Sequence, residues 1–397
     1  MKLIDTIKDK STSLFKEVQN IRHHLHMHPE LSFEEKETSM FVKNKLNEMG
    51  IEYKDGIGGY GIVATIKGKQ NGPNVALRAD MDALPIQEEN DIPYRSKREG
   101  VMHACGHDVH TSSLLGAAAI LNELKDQFNG SVKFIFQPAE EKLPGGASLM
   151  IKEGALKNPE TKSIIGQHVM PFIDTGKVGI RSGVYMASTD ELYITIKGKG
   201  GHGAMPHLAI DPVYIASNLI VSLQQIISRR AKPIMPCVLS FGRFEALGAT
   251  NVIPDKAILH GTFRTLDETW RVRAHEMITE MCHALVESMG ATCNLEIRKG
   301  YPVLINEENL TKRCRTAMED YMEKENVQPL DVWMAAEDFS YYSHEIPACF
   351  YRLGTRNEKK GIVSSVHTST FNIDEDALVT GMGLMAYLAL SELNQMV

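Results

Sequence analysis

Cysteine is scarce: six residues, at positions 105, 237, 282, 293, 314 and 349, are scattered along a chain of 397. That spacing excludes a disulfide-stapled scaffold and fits a reducing, cytoplasmic setting. Basic charge is in deficit, with 43 Lys and Arg against 50 Asp and Glu and a net charge of −7. No basic tract stands out, so nothing marks a site for nucleic acid or an anionic membrane. Long apolar runs are missing: none approaches the roughly 20 residues of a membrane span. The start, Met1-Lys2-Leu3-Ile4-Asp5-Thr6, lacks the apolar core of a secretion signal. A nucleotide fingerprint is present in letters only. Gly56-Ile57-Gly58-Gly59-Tyr60-Gly61 matches G-x-G-x-x-G, yet it opens a strand at Ile62 where the fingerprint must open a helix. Gly198, Gly200 and Gly203 match again, but Pro206 and Pro212 deny an immediate helix.

What remains is an ordinary globular composition, 43% hydrophobic. The chain is too long for one core, which stops growing at about 250–300 residues. Apolar positions at helical spacing predict helices over 5–27 and 34–49, closed by Pro29 and Gly50. His23, His24, His26 and His28 look like a metal tract, but they scatter around the first helix. A structural role is expected for all four, with His26 nearest to touching a site. Strands at 62–66, 75–78, 132–136 and 163–168 alternate with a helix at 109–125, the pattern of an α/β sheet with helices on its faces. The rhythm then changes to strand 191–197, helix 211–230, strands 237–245 and 256–265, helix 267–289 and strand 291–298. That β-α-β-β-α-β order is the ferredoxin-like arrangement. The expected division is residues 1–186 with 300–397 as one domain, and 187–299 as a second inserted into it.

The chemistry centres on Met102-His103-Ala104-Cys105-Gly106-His107-Asp108. Cys and His are the preferred ligands of zinc and its first-row neighbours. Two residues apart is too close for one helix face, so the pair suits a tight turn that Gly106 makes possible. Asp108 is placed to accept a hydrogen bond from a ligand imidazole. Asp82, Glu140, Glu141 and His168 each fall at or just past the C-terminal end of an expected strand, where open α/β sheets build their ligand sites. On extended backbone Glu140 and Glu141 would point to opposite sides, one toward metal and one toward substrate as a base. In the inserted segment His202 sits in a glycine loop, where a functional role is expected, while His207 reads as structural. Asn251 and Arg264 are polar candidates, and the Arg264 guanidinium forms a fork that suits a carboxylate.

Taken together, Arg78 to Pro85, Met102 to His110, Gln137 to Glu141, Gly200 to Pro206, Asn251 to Pro254 and Glu337-Asp338-Phe339-Ser340 resemble one family. It is the aminoacylase and carboxypeptidase family of dinuclear metallohydrolases, in the amidohydrolase branch of hippurate hydrolase and auxin–amino-acid conjugate hydrolases. The resemblance implies a catalytic α/β domain with a mostly parallel sheet plus a ferredoxin-like lid and dimerisation domain. It implies that Cys105, His107, Glu141, His168 and His367 bind two divalent metal ions (zinc or manganese, with cobalt or nickel as alternatives), Cys105 bridging them. Glu140 becomes the general base and Asp82 a group orienting a ligand. His202 would steady the oxyanion in the partner subunit's site, and Asn251 and Arg264 would hold the substrate's α-carboxylate. The implied reaction is hydrolysis of N-acyl-L-amino acids by a homodimer, with a dipeptidase or carboxypeptidase as the alternative. A thiol nucleophile at Cys105 and a metal-dependent binding protein are the remaining readings. Two departures stand out: Asp80 occupies a position that is His in much of the wider family, and Lys142-Leu143-Pro144 separates the Glu pair from Gly145.

Overall fold

The computed structural model describes residues 2–396. In chain order the longer elements are α1 (Leu3–Met27), α2 (Lys36–Glu48), β1 (Tyr53–Ile57), β2 (Gly61–Lys67), β3 (Asn74–Asp80), α3 (His107–Glu123), β4 (Ser131–Gln137), β5 (Ser163–Asp174) and β6 (Val178–Ile180). They continue with β7 (Asp190–Lys197), α4 (Pro212–Gln225), β8 (Cys237–Glu245), β9 (Lys256–Thr265), α5 (Glu268–Ser288) and β10 (Thr292–Lys299). The last are α6 (Glu308–Met322), β11 (Val327–Pro329), β12 (Ala348–Arg356) and α7 (Ala377–Gln395). Two compact units result: residues 1–183, 305–331 and 338–397, and residues 184–304 with 332–337.

The first unit is built on an eight-stranded sheet in the order β1-β2-β4-β3-β5-β12-β6-β11. Its centre, β4-β3-β5-β12, is parallel. Strands covered on both faces are largely apolar, and every residue of β3 and β4 is buried, the polar ones among them being hydrogen-bonded. Lys133 is the charged residue of β4. Its ammonium is satisfied by the carbonyls of Ala155, Lys157 and Pro159 and the hydroxyl of Thr161. In α1 the buried positions Ile7, Ser11, Val18, Ile21, Arg22 and Leu25 recur at helical spacing, and α3 and α7 are buried along nearly their whole length. Among the described residues one helix, α7, is long and apolar enough to cross a membrane by length and composition alone. Most of it lies buried inside the unit, because a core helix requires the same composition.

One further expectation shifts and one holds. The strand expected at 163–168 runs on to Asp174, since β12 pairs with it well beyond His168. His168 therefore lies in mid-strand, but β3 pairs only as far as Gly166, leaving that edge of His168 open. The glycine stretch at 56–61 forms the turn of the antiparallel β1-β2 hairpin.

The second unit is a four-stranded antiparallel sheet in the order β8-β9-β7-β10, the ferredoxin-like order. Leu192, Ile194 and Ile196 share a buried cluster with Leu259 and Phe263 of β9 and with Leu219, Ile278 and Cys282 of the two helices. Residues 332–337 join this unit because the Ala187 N–H donates to the carbonyls of Trp333 and Ala335 and Arg264 donates to Met334 O. A boundary drawn from element rhythm had placed them in the first domain, since they form no element of their own.

Candidate metal centre

Gly106 takes a left-handed φ of 81° at the N-terminus of α3, so the chain turns between Cys105 and the first helical residue, His107. The Cys105, His107 and His168 donors lie within 4.8 Å of one another, and all three residues are buried. The donors of Cys105, Glu141 and His367 lie as close together, as do those of His107, Glu140 and Glu141, with Glu141 half-buried and His367 exposed. Cys105 Sγ is 3.4 Å from His168 Nε2 and 3.3 Å from His367 Nε2, and His367 Nε2 is 3.2 Å from Glu141 Oε1. The His367 N–H also donates to Ala104 O at 2.7 Å, which ties this remote loop to the Cys105 turn. A thiol shared by two donor groups, with imidazoles and carboxylates around it, suits two divalent ions.

The imidazoles are set for ligation. His107 Nδ1 donates to Asp82 Oδ1 at 3.2 Å, which leaves Nε2 buried and without a partner. His168 Nδ1 donates to Val169 O at 2.7 Å, which aims Nε2 at Cys105. A ligand imidazole commonly fixes its tautomer through its other nitrogen in this way. Glu141 Oε1 is buried and faces His367 Nε2 at 3.2 Å. Orphaned buried donors and acceptors call for a missing partner, and a cation meets all of these at once.

Charge points the same way. Burial and the charges of Glu141, Glu140 and Asp80 push the Cys105 thiol well above its ordinary range. Burial opposes protonation of His107, yet Asp80 and Asp82 override it and hold the imidazole up to about 10. Acidic groups surround the thiol and raise it. A nucleophilic thiolate would need electropositive surroundings, so the thiol-nucleophile reading loses its support.

Asp82 is the hub. Its Oδ1 accepts from His107 Nδ1 and from the Glu140 N–H at 3.0 Å; its Oδ2 accepts from Ser32 Oγ at 2.6 Å and from the Glu141 N–H at 2.9 Å. Asp80 is spent elsewhere: Arg78 Nη1 and His110 Nδ1 each donate to it at 2.6 Å. His110 Nε2 accepts the Val169 N–H, so His110 has no lone pair left for an ion.

Three expectations are corrected. Asp108 accepts from Arg22 Nε and His26 Nδ1, both at 2.8 Å, so Asp82, not Asp108, is the carboxylate that meets His107. His26 touches that buried pair and Glu88, none of them in the donor groups. Glu140 and Glu141 do not diverge on extended backbone; they lie in a bend past β4, just after Ala139 with its φ of 52°, and both carboxylates converge with His107. Sequence reasoning missed Ser32 and Glu35. The only local signal was an acidic pair at the start of a helix, which ordinarily means favourable charge at a helix N-terminus.

In the second unit His202 and Asn251 come together. Gly201 and His202 pair with Ile253 and Val252, and the Gly203 N–H donates to Asn251 O. Both side chains are exposed, whereas Arg264 is half-buried on β9 with Nη1 donating to Met334 O at 3.1 Å.

The turn gives a direct test. A Cβ on Gly106 would lie 2.6 Å from Val169 Cγ2, on backbone that L-residues resist. Gly106→Ala is expected to cost about 1–3 kcal/mol and to lower the content of divalent metal. Unchanged thermal unfolding and full metal content would refute this account of the turn.

Known proteins carry the same architecture. N-acetyl-L-cysteine deacetylase of Bacillus subtilis is 39% identical over 381 residues, spanning 94% of this chain and 89% of the relative. Thermostable carboxypeptidase 2 of Saccharolobus solfataricus is 37% identical over 398 residues and covers all of both chains. The crystal structure of the Bacillus subtilis YXEP protein, described as a dinuclear metal binding peptidase from the M20 family, superposes with a TM-score of 0.82 at 34% identity, covering 97% of this chain and 100% of that one. Residues 76–391 match the model of peptidase family M20/M25/M40. With the fold, the donor groups and these relatives in agreement, the chain belongs to peptidase family M20/M25/M40.

Proposed function

We propose that this hydrolase cleaves the amide bond of N-acyl-L-amino acids, releasing a free amino acid and a carboxylic acid. The observation that carries the reading is the buried thiol of Cys105 shared by two donor groups, with Glu140 beside them. Cys105, His107, Glu141, His168 and His367 would hold two divalent ions, zinc or manganese first. Ions bound there polarise an amide carbonyl and acidify a water. Glu140 is the one carboxylate of the Glu pair left over as a base. It takes the water's proton and returns it to the leaving amine. Asp82 keeps Glu140 and His107 in place by the bonds already described. His202 is assigned to the oxyanion, acting in the partner subunit's site, and Asn251 and Arg264 to the substrate's α-carboxylate. The second unit is then a lid and dimerisation domain. An N-acyl-amino acid reading agrees with the name of the deacetylase relative, whereas the carboxypeptidase relative favours a peptide substrate on the same centre.

The test is a panel of N-acetyl and N-benzoyl amino acids and dipeptides, assayed with Zn²⁺, Mn²⁺, Co²⁺ or Ni²⁺ added to chelated enzyme. Turnover confined to dipeptides would overturn the reading in favour of a peptidase. On the substrate found, Arg264→Ala is expected to raise KM about 10–100-fold, the value of a charge-assisted hydrogen bond. An amidated analogue should lose little. Equal losses on both substrates would remove Arg264 from the carboxylate site.

A further inference from the structure

Behind the donors, three successive backbone N–H groups end on two buried carboxylates. Ala139 N–H donates to Glu35 Oε1 at 2.7 Å, Glu140 N–H to Asp82 Oδ1 and Glu141 N–H to Asp82 Oδ2. Glu35 is fully buried, and the same Oε1 also accepts the Phe33 N–H at 3.0 Å. Phe33 and Ala139 are both non-glycine residues with positive φ, 69° and 52°. Neither has a polar side chain that could stabilise that conformation locally, as Asn or Asp can. One carboxylate oxygen therefore pins two residues that would otherwise relax.

We propose that Glu35 is a positioning residue of the metal centre, holding Ala139 in the left-handed conformation that turns Glu140 and Glu141 toward the other donors. The Ala139 carbonyl accepts the Gly146 N–H at 2.9 Å, so the residue is held at both its N–H and its carbonyl. Released from Glu35, Ala139 relaxes toward ordinary φ and redirects the chain that carries both glutamates. The inference deepens the metal-centre reading and rests on it for its consequence, but the pinning itself is a property of the metal-free chain.

Amide hydrogen exchange of the metal-free protein and zinc affinity by chelator competition test it, on the wild type, E35A, E35Q and E35A/A139G. In E35A the amides of residues 139–141 should exchange at least about tenfold faster, and zinc should bind at least about tenfold more weakly. E35Q presents the same oxygen and should stay within about threefold on both counts. Glycine adopts positive φ without penalty, so E35A/A139G should recover most of the lost affinity; a merely structural glutamate would not be rescued this way. Wild-type exchange and affinity in E35A would overturn the proposal, as would equal losses in E35A and E35A/A139G or damage in E35Q equal to that in E35A. If E35A does not fold, E35D, shorter by one methylene, takes its place. A wild type that binds no zinc would sink the metal reading, and the exchange data would still decide Glu35.

Discussion

Glu140→Gln is expected to retain both ions and to lose about 10²–10⁴-fold in kcat, the usual worth of a positioned general base. That loss corresponds to about 3–5 kcal/mol of barrier. The amide is nearly isosteric with the carboxylate, and the Glu140 N–H that Asp82 accepts belongs to the backbone, so the fold around the substitution keeps its bonds. What disappears is the ability to take a proton. The Asp338 N–H lies 3.4 Å from Glu140 Oε1, and an amide oxygen can accept it equally well. Metal content measured with turnover decides the matter. A variant with full metal and near wild-type kcat would show that another group moves the proton; a variant that loses its metal would make Glu140 a ligand.

Removing a ligand should fail in a different way. Cys105→Ala and His107→Ala are each expected to weaken metal binding by more than about 100-fold, beyond the 10–100-fold typical of residues that only orient ligands. Activity and metal should vanish together. Cys105 stands in two of the donor groups, so its loss should empty the centre of both ions, whereas Asp82→Asn should leave partial occupancy. Supplying excess zinc separates the cases: activity restored at high metal shows weakened affinity, and activity still absent shows a lost catalytic role. Cys105→Ala with full metal and turnover would dissolve the centre as drawn.

Much of the second unit was legible from its order of elements, because a sheet covered on one face alternates Leu192, Ile194 and Ile196 with Glu191, Tyr193 and Thr195. The metal donors were legible as chemistry. Cys105-Gly106-His107 is a local spacing, and thiol, imidazole and carboxylate are the residue types that bind such ions. Their convergence was not legible, since Cys105 meets His367 across 262 positions and the strand order that brings β4 beside β3 follows from pairing across the chain.

The sequence by itself determined which side chains could bind a metal and which segments would be strand or helix, since both depend on residue type and near neighbours. Only the tertiary structure decided which lone pairs remain free. It paired Asp80 with His110, Asp108 with Arg22, and Asp82 with His107. It also gave Glu35 a place behind Glu140 and Glu141, 104 residues from the amide it holds. A hydrogen bond depends on distance and direction in space, and neither is encoded in the spacing of residues so far apart.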